Sequence, residues 1–275
     1  MDRELREICK DIRCDIMTTI GHLGVGHIGG CLSLAELLTV LYFKEMDIDP
    51  AEPKKPGRDR LICSKGHAGP AVYSALAERG YFPKEELLTL NQSGTHLPSH
   101  CDMRLTRGID MTTGSLGQGF SCAVGIALAS KLEGDGATIY AIIGDGESQE
   151  GQIWEAAMFA AAKKLDDLIA FTDSNKLQID GPVEEVNAIS PLAEKWAAFG
   201  WNVIEVEDGN DIDQVVAAVE HAKLGIGSGK PTMVILNTKK GCGVKWIEDL
   251  GAGNHNCNVT EEQAAAAIAE IRGRD

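Results

Sequence analysis

Ile142-Ile143-Gly144-Asp145-Gly146-Glu147 and, about thirty residues later, Thr172-Asp173-Ser174-Asn175 are the stretches that decide how this chain folds. The first closes the apolar run 137–143 (ATIYAII) and the second closes 168–171 (LIAF); both runs read as buried strands. Between them, residues 150–164 carry Ile153, Trp154, Ala157, Met158 and Ala161 at helical spacing, continued by Leu165. Two parallel strands joined by a crossover helix put both polar ends on one edge of a sheet. Ligands of open α/β sheets bind outside that carboxyl edge, so Asp145 and Asn175 are expected to converge there as two hard oxygen ligands.

That pair suits a magnesium-bound diphosphate. Mg²⁺ takes oxygen in an octahedron of about 2.1 Å radius, with few protein ligands and the rest from phosphate and water. Gly144 and Gly146 let the backbone approach a phosphate, and the following helix offers free N–H groups at its start. Taken singly, Asp-Gly is a common turn and Asn a common helix cap. The spacing on successive strand ends is what favours the metal.

Strand-like and helical stretches alternate along the rest of the chain, which predicts an α/β fold, a mostly parallel sheet with helices on both faces. Helices are expected over 3–20, 33–44, 68–79, 117–131, 189–199 and 211–223, and strands over 60–64, 201–207 and 231–238. Thr260-Glu261-Glu262-Gln263 fits a capping box opening a final Ala-rich helix. Residues 91–114 show no periodicity and read as a long loop, which in a compact domain is usually functional. The 275 residues suffice for one domain, with 1–275 read as a single diphosphate-binding unit.

Net charge is −15, from 26 basic and 41 acidic side chains, which argues against a nucleic-acid partner. Any affinity for phosphate must then come from local groups or a metal. The eight cysteines include no C-x-x-C and suit reduced, mostly buried thiols in the cytoplasm. The charged start MDRELREICKDIR does not resemble a signal peptide, and no apolar window of about 18 residues is present to span a membrane.

Two glycine motifs are set aside. Gly24–Gly29 matches G-x-G-x-x-G but follows a helix, and 225–230 resembles a P-loop but precedes a strand. His96 and His100 form H-x₃-H beside Cys101, too few ligands for zinc. His27, His67, His100 and His255 all lie in glycine-rich or loop contexts. Together they suggest a site for an oxygen-rich substrate and phosphate, because imidazole donates, accepts and changes charge near neutrality.

GDGESQEG and FTDSNKLQIDG, with GHIGGCLSLAELLTVLYF (26–43), RDRLICSKGHAGPAVYSAL (58–76) and TTGSLGQGFSCAVGIALA (112–129), resemble transketolase from about residue 5 to 265. The similarity covers the amino-terminal half of a full-length enzyme. It implies thiamine diphosphate as cofactor with Mg²⁺, for which Ca²⁺ or Mn²⁺ can substitute. It implies Asp145, Asn175 and the Leu177 carbonyl as metal ligands. On the same basis His67, Gly114, Ser115, Leu116, Gly146, Glu147 and Asn175 contact the cofactor. His27, His100 and His255 face the substrate as catalytic residues. Glu150 and Glu155 match acidic positions near the subunit interface, in a carboxylate network linking two cofactors, with plain helix-start acids as the alternative. Departures from the family pattern fall on the substrate side: Ile28 in place of proline after His27, Cys101-Asp102 after His100, and GAGNHNCN around His255.

In the family, the glutamate that protonates the aminopyrimidine and most sugar-phosphate ligands lie in the second half. The resemblance therefore implies a split enzyme, whose partner in a heterotetramer is a carboxy-terminal, pyrimidine-binding subunit. Its reaction would be transfer of a two-carbon ketol unit from a ketose, as its phosphate, to an aldose. The alternatives are a 2-oxo acid decarboxylating subunit, or a deoxyxylulose-phosphate-synthase-like protein, or a non-catalytic cofactor-binding partner.

Overall fold

The computed structural model describes residues 4–273. In chain order its strands are β1 (Val25–Gly26), β2 (Arg60–Cys63), β3 (Ile139–Gly144), β4 (Leu168–Ser174), β5 (Leu177–Gln178), β6 (Gly181–Pro182), β7 (Asn202–Val206), β8 (Thr232–Asn237) and β9 (Cys257–Asn258). Its α-helices are α1 (Leu5–Leu23), α2 (Ile28–Leu32), α3 (Ala35–Val40), α4 (Gly69–Arg79), α5 (Gln118–Glu133), α6 (Gly151–Ala162), α7 (Val183–Asn187), α8 (Leu192–Ala198), α9 (Ile212–Lys223), α10 (Lys245–Asp249) and α11 (Glu261–Arg272).

Five strands form one sheet in the order β2-β3-β4-β8-β7, every neighbouring pair parallel. Strands of such a sheet are buried on both faces, which is why they read as unbroken apolar runs. Successive residues still point to opposite sides. Tyr140, Ile142, Ile169 and Phe171 join a core with α1, α3, α4, α9 and α11. Ile139, Ala141, Ile143, Leu168 and Ala170 join a second core under α5, α6 and α8. The α/β expectation with helices on both faces therefore holds.

Register sets the site. Gly144 lies opposite Asp173 and Ser174 opposite Asn237, so Asp145 and Asn175 each step off the same edge of neighbouring strands. The capping box at Thr260 is present, with Gln263 N–H donating to Thr260 Oγ1 at 3.2 Å and Thr260 N–H to Gln263 Oε1 at 2.9 Å.

The helix expected over 33–44 begins two residues later and changes character at its end. Helix α2 ends at Leu32, α3 begins at Ala35, and residues 41–45 continue as a π-turn. Ser33, between α2 and α3, gives its hydroxyl to Asp173 Oδ2 at 2.7 Å. Two short ladders, β1 with β9 and β5 with β6, also lie outside the sequence expectation.

Candidate active site

A cavity of about 190 Å³ opens at the carboxyl ends of β2, β3 and β4, and Asp145, Asn175 and Leu177 all line it. Asp145 is buried, and its carboxylate oxygens accept N–H bonds from Gly146 at 2.8 Å and Lys176 at 2.5 Å. Burial, together with the nearby Asp173, pushes its pKa up to about 6. Asn175 donates from Nδ2 to Asp173 Oδ2 at 2.9 Å, and its Oδ1 accepts the Leu177 N–H at 3.2 Å. The amide is thus oriented with its oxygen held as an acceptor. The Leu177 carbonyl accepts a bond from Lys240 Nζ at 2.8 Å.

The walls fit a diphosphate and a hard cation. Gln178 Oε1 is buried with no hydrogen-bond partner among the described residues, and a Cβ on Gly146 would come within 3.3 Å of it. On the opposite wall, a Cβ on Gly30 would stand 3.5 Å from Lys65 Nζ and 3.6 Å from His67 Nε2. Side chains at either position would crowd the polar atoms that face the cavity. No cluster of three His, Cys, Asp or Glu suited to a metal occurs among the described residues. A magnesium site made of one carboxylate, one amide oxygen and one carbonyl needs none.

Four histidines from distant segments meet beside this cavity. His27 has ring centroids 5.3 Å from His67, 5.8 Å from His100 and 5.4 Å from His255, and His67 lies 5.1 Å from His255. The β1–β9 ladder pairs Gly26 with Cys257, which clips His27 beside His255. His67 sits on a 3₁₀ turn just beyond β2. The long loop delivers His100, whose carbonyl accepts from Tyr73 Oη at 3.0 Å. His96 turns elsewhere, paired with Glu86 and edge-on to Phe82, so it and His100 do not face one metal.

All four imidazoles are shifted toward the neutral form. Burial lowers His100, and burial with His100 and Lys240 lowers His27. Burial with Lys65 takes His67 down to about 2, and burial with Lys240 takes His255 down to about 4. A group whose pKa is depressed on folding contributes stability that is present above about 6.5 and lost as pH falls toward the folded value. Asp145, shifted the other way, contributes stability present below its unfolded value of 3.8 and lost as pH rises through about 6. The opposed signs mask one another in a melting curve, so ring ¹⁵N chemical shifts are the measurement to make. His67 and His255 are expected to remain neutral at about pH 5.5, below the usual histidine range. An imidazolium signal from either ring there would contradict this electrostatic picture.

Comparison with known proteins gives the family. The family model described as transketolase, thiamine diphosphate binding domain, matches residues 5–270. The chain belongs to the transketolase family. It is 58% identical over 268 residues to the 6-deoxy-6-sulfo-D-fructose transketolase subunit SqwG of Clostridium sp. (strain MSTE9), covering 98% of this chain and 96% of that one. It is 43% identical over 270 residues to an apulose-4-phosphate transketolase subunit from Actinobacillus succinogenes, covering 98% of this chain and 96% of that one. The solved transketolase from Leishmania mexicana superposes with a TM-score of 0.90 at 30% identity, over 100% of this chain but 42% of that one. The chain is thus a transketolase subunit; it is the transferase component bearing the family's thiamine-diphosphate-binding domain.

The remaining transketolase-like positions divide. Leu116, Gly146, Glu147 and Glu150 line the cavity. Gly114 backs His100, whose Cδ2 would lie 3.4 Å from a Cβ there, whereas Ser115 is exposed and its carbonyl accepts the Gln118 N–H at the start of α5. The Glu147 carboxylate is already engaged by Ser64 Oγ and by the N–H groups of Gly117 and Gly144 at 2.7 and 3.0 Å. It ties three loops together at the cavity wall. Glu155 is exposed on α6 and does not line the cavity.

Two functional candidates escaped the sequence reading: Lys65 and Lys240, both buried and both lining the cavity. Lys65 pairs with Asp173, while Lys240 lies against the Leu177 carbonyl and 3.1 Å from His255 Nδ1. Burial, then the charge of Lys65, lowers Lys240 to about 8. Lys65 stands within the SKGH block, and Lys240 just beyond β8 at the ligand-binding edge. Those positions were the available signal.

Proposed function

We propose that this chain, as one diphosphate-binding unit, works with a pyrimidine-binding partner to transfer a two-carbon ketol unit from a ketose donor to an aldose acceptor. The observation that carries the reading is the convergence of the Asp145–Asn175–Leu177 set and four histidines at one sheet edge. When bound, thiamine diphosphate supplies the carbanion-stabilising chemistry. Asp145 Oδ, Asn175 Oδ1 and the Leu177 carbonyl would hold Mg²⁺ (or Ca²⁺ or Mn²⁺) on the diphosphate. His67, Gly146 and Lys240 would border the phosphates, and Leu116 would supply apolar contact to the rings.

His27, His100 and His255 are assigned to the substrate. A neutral imidazole donates one hydrogen bond and accepts another, so it can hold a hydroxyl and move its proton. The donor is proposed to be a ketose with a terminal anionic group, phosphate or sulfonate, since the names of two relatives contain one or the other. His27→Ala is expected to leave cofactor affinity within about twofold and to lower kcat by about 10²–10⁴-fold. Steady-state kinetics and calorimetry on the same preparation separate the two effects.

The partner is supported by two helices. Helix α5 buries Phe120, Ala123, Val124 and Ala127, yet Cys122, Gly125, Ile126, Ala129 and Leu132 form a second, outward stripe. Helix α6 likewise exposes Met158 and Phe159 beside Glu155. A helix apolar on both sides belongs in an interior or an interface, and both stripes suit a heterotetramer. Cytoplasmic residence is proposed from eight free cysteines; no helix among the described residues is long and apolar enough to cross a membrane. The test is ketol transfer by the purified chain alone and with its partner, given Mg²⁺ and thiamine diphosphate. Full activity of the chain alone would overturn the two-subunit reading, and CO₂ release from pyruvate would favour a decarboxylating one.

A further inference from the structure

A cleft of about 630 Å³ lies away from the cofactor cavity, between residues 53–60, the middle of the long loop at 103–111, and α5. Its chemistry is opposite to that of the whole chain. Lys54, Arg58, Arg60, Arg104 and Arg107 line it against only Asp110 and Glu133, in a chain of net charge −15. Some of this charge is compensated locally: Arg58 pairs with Asp110, and Arg60 with Asp135 at 3.2 Å. Arg107 Nη2 donates to the carbonyls of Pro50 at 2.7 Å and Ala51 at 3.4 Å. The Lys54 ammonium and the Arg104 guanidinium have no ion pair among the described residues.

Apolar groups alternate with these cations. Met103 and Leu105 flank Arg104 and are 48% and 51% exposed, although both are large hydrophobic side chains. The cleft floor includes Ile126 and Ala129, which also belong to the outward stripe of α5. The cleft is therefore continuous with the face proposed to meet the partner. Arginine and methionine are enriched at protein interfaces. The exposed rim also argues against a small metabolite, whose pockets bury most of the ligand.

We infer that this cleft receives a segment of the partner that is acidic with an apolar tip, carboxylates against Lys54, Arg104 and Arg107 and the apolar side chain between Met103, Leu105 and Ile126. The inference rests on the two-subunit reading. An acidic segment is repelled by most of this chain and attracted here, so the cleft sets where the partner docks.

The test is association of the two purified chains, followed by biolayer interferometry at low and high NaCl. The variants are Lys54→Glu/Arg104→Glu, the neutral Arg104→Gln, and Leu105→Ser. Circular dichroism and thermal unfolding of each isolated variant confirm that it is folded. The double charge reversal is expected to weaken association by about tenfold or more at low salt, mainly through the on-rate, with the gap narrowing at high salt. Arg104→Gln should fall between, and Leu105→Ser should weaken association at both salt concentrations. Wild-type-like association of all three variants would overturn the docking inference and leave the two-subunit reading standing. Failure of the wild-type chains to associate at all would overturn both. Binding of inorganic pyrophosphate that is lost in Arg104→Gln, with association unchanged, would make the cleft a small-anion site and also overturn the inference.

Discussion

Asp145→Ala is expected to weaken binding of thiamine diphosphate in excess Mg²⁺ by at least about a hundredfold, or about 2.7 kcal/mol. Asp145 is the one carboxylate in the proposed ligand set. Without it the cation keeps only an amide oxygen and a carbonyl, both neutral, against a polyanionic diphosphate. The same side chain also holds the Gly146 and Lys176 N–H groups, so alanine removes a loop support along with a ligand. Asp145→Asn separates these roles in part: its single amide oxygen can still accept one of the two N–H groups, which now reach different oxygens, but it carries no charge. If charge dominates, the asparagine variant binds nearly as poorly as alanine; if the loop dominates, it recovers the part of the affinity that the one retained bond supports. Lys240 remains in either variant and should leave some metal-independent attraction for phosphate. Asn175→Ala is expected to weaken binding less than Asp145→Ala, because no formal charge is lost. Calorimetric titration of the assembled complex measures each case. Wild-type affinity in Asp145→Ala would remove the metal assignment.

The positions of Asp145 and Asn175 were legible because each follows an apolar run long enough to mark a buried strand. Parallel strands in register then leave little freedom over where the next residue goes. The core helices were legible by the same periodic logic. The four histidines could be singled out by their glycine-rich surroundings, but their convergence could not. It depends on the β1–β9 ladder, and two residues are too few to show a period. Lys65 and Lys240 were missed for a different reason. A buried lysine is defined by its partners, and the carboxylate that holds Lys65 lies 108 residues away. Ser33 follows the same rule, since the carboxylate that accepts its hydroxyl lies 140 positions away. What sequence reasoning loses here is long-range polar pairing.

The greatest expected effect on stability follows from that pairing, at Asp173. Its buried carboxylate accepts from four donors: Lys65 Nζ, Ser33 Oγ at 2.7 Å, Asn175 Nδ2 at 2.9 Å, and Thr238 Oγ1. They come from the ends of β2, β4 and β8 and from the α2–α3 break, so one side chain ties together four segments around the cavity. Burial alone would raise its pKa, but Lys65 and the hydroxyls more than offset this and hold it below the usual carboxylate range. Its contribution is therefore present above the unfolded value of 3.8 and lost only as pH falls through the lower folded value. Asp173→Ala leaves a buried ammonium with no counter-charge and is expected to cost about 3–5 kcal/mol in denaturant unfolding. Lys65→Met/Asp173→Ala removes both charges and should regain most of that loss, since a buried ion pair replaced by apolar groups is often close to neutral. Metal binding should not recover in parallel. Asn175 would lack the acceptor that fixes its Nδ2, so its oxygen would no longer be presented, and Mn²⁺ affinity in the presence of thiamine diphosphate should stay about tenfold or more below that of Lys65→Met alone. Measuring both quantities at all four corners of the cycle separates support of the fold from orientation of the ligand. If the double variant matched Lys65→Met in Mn²⁺ affinity, Asp173 would be a structural counter-ion with no part in presenting Asn175.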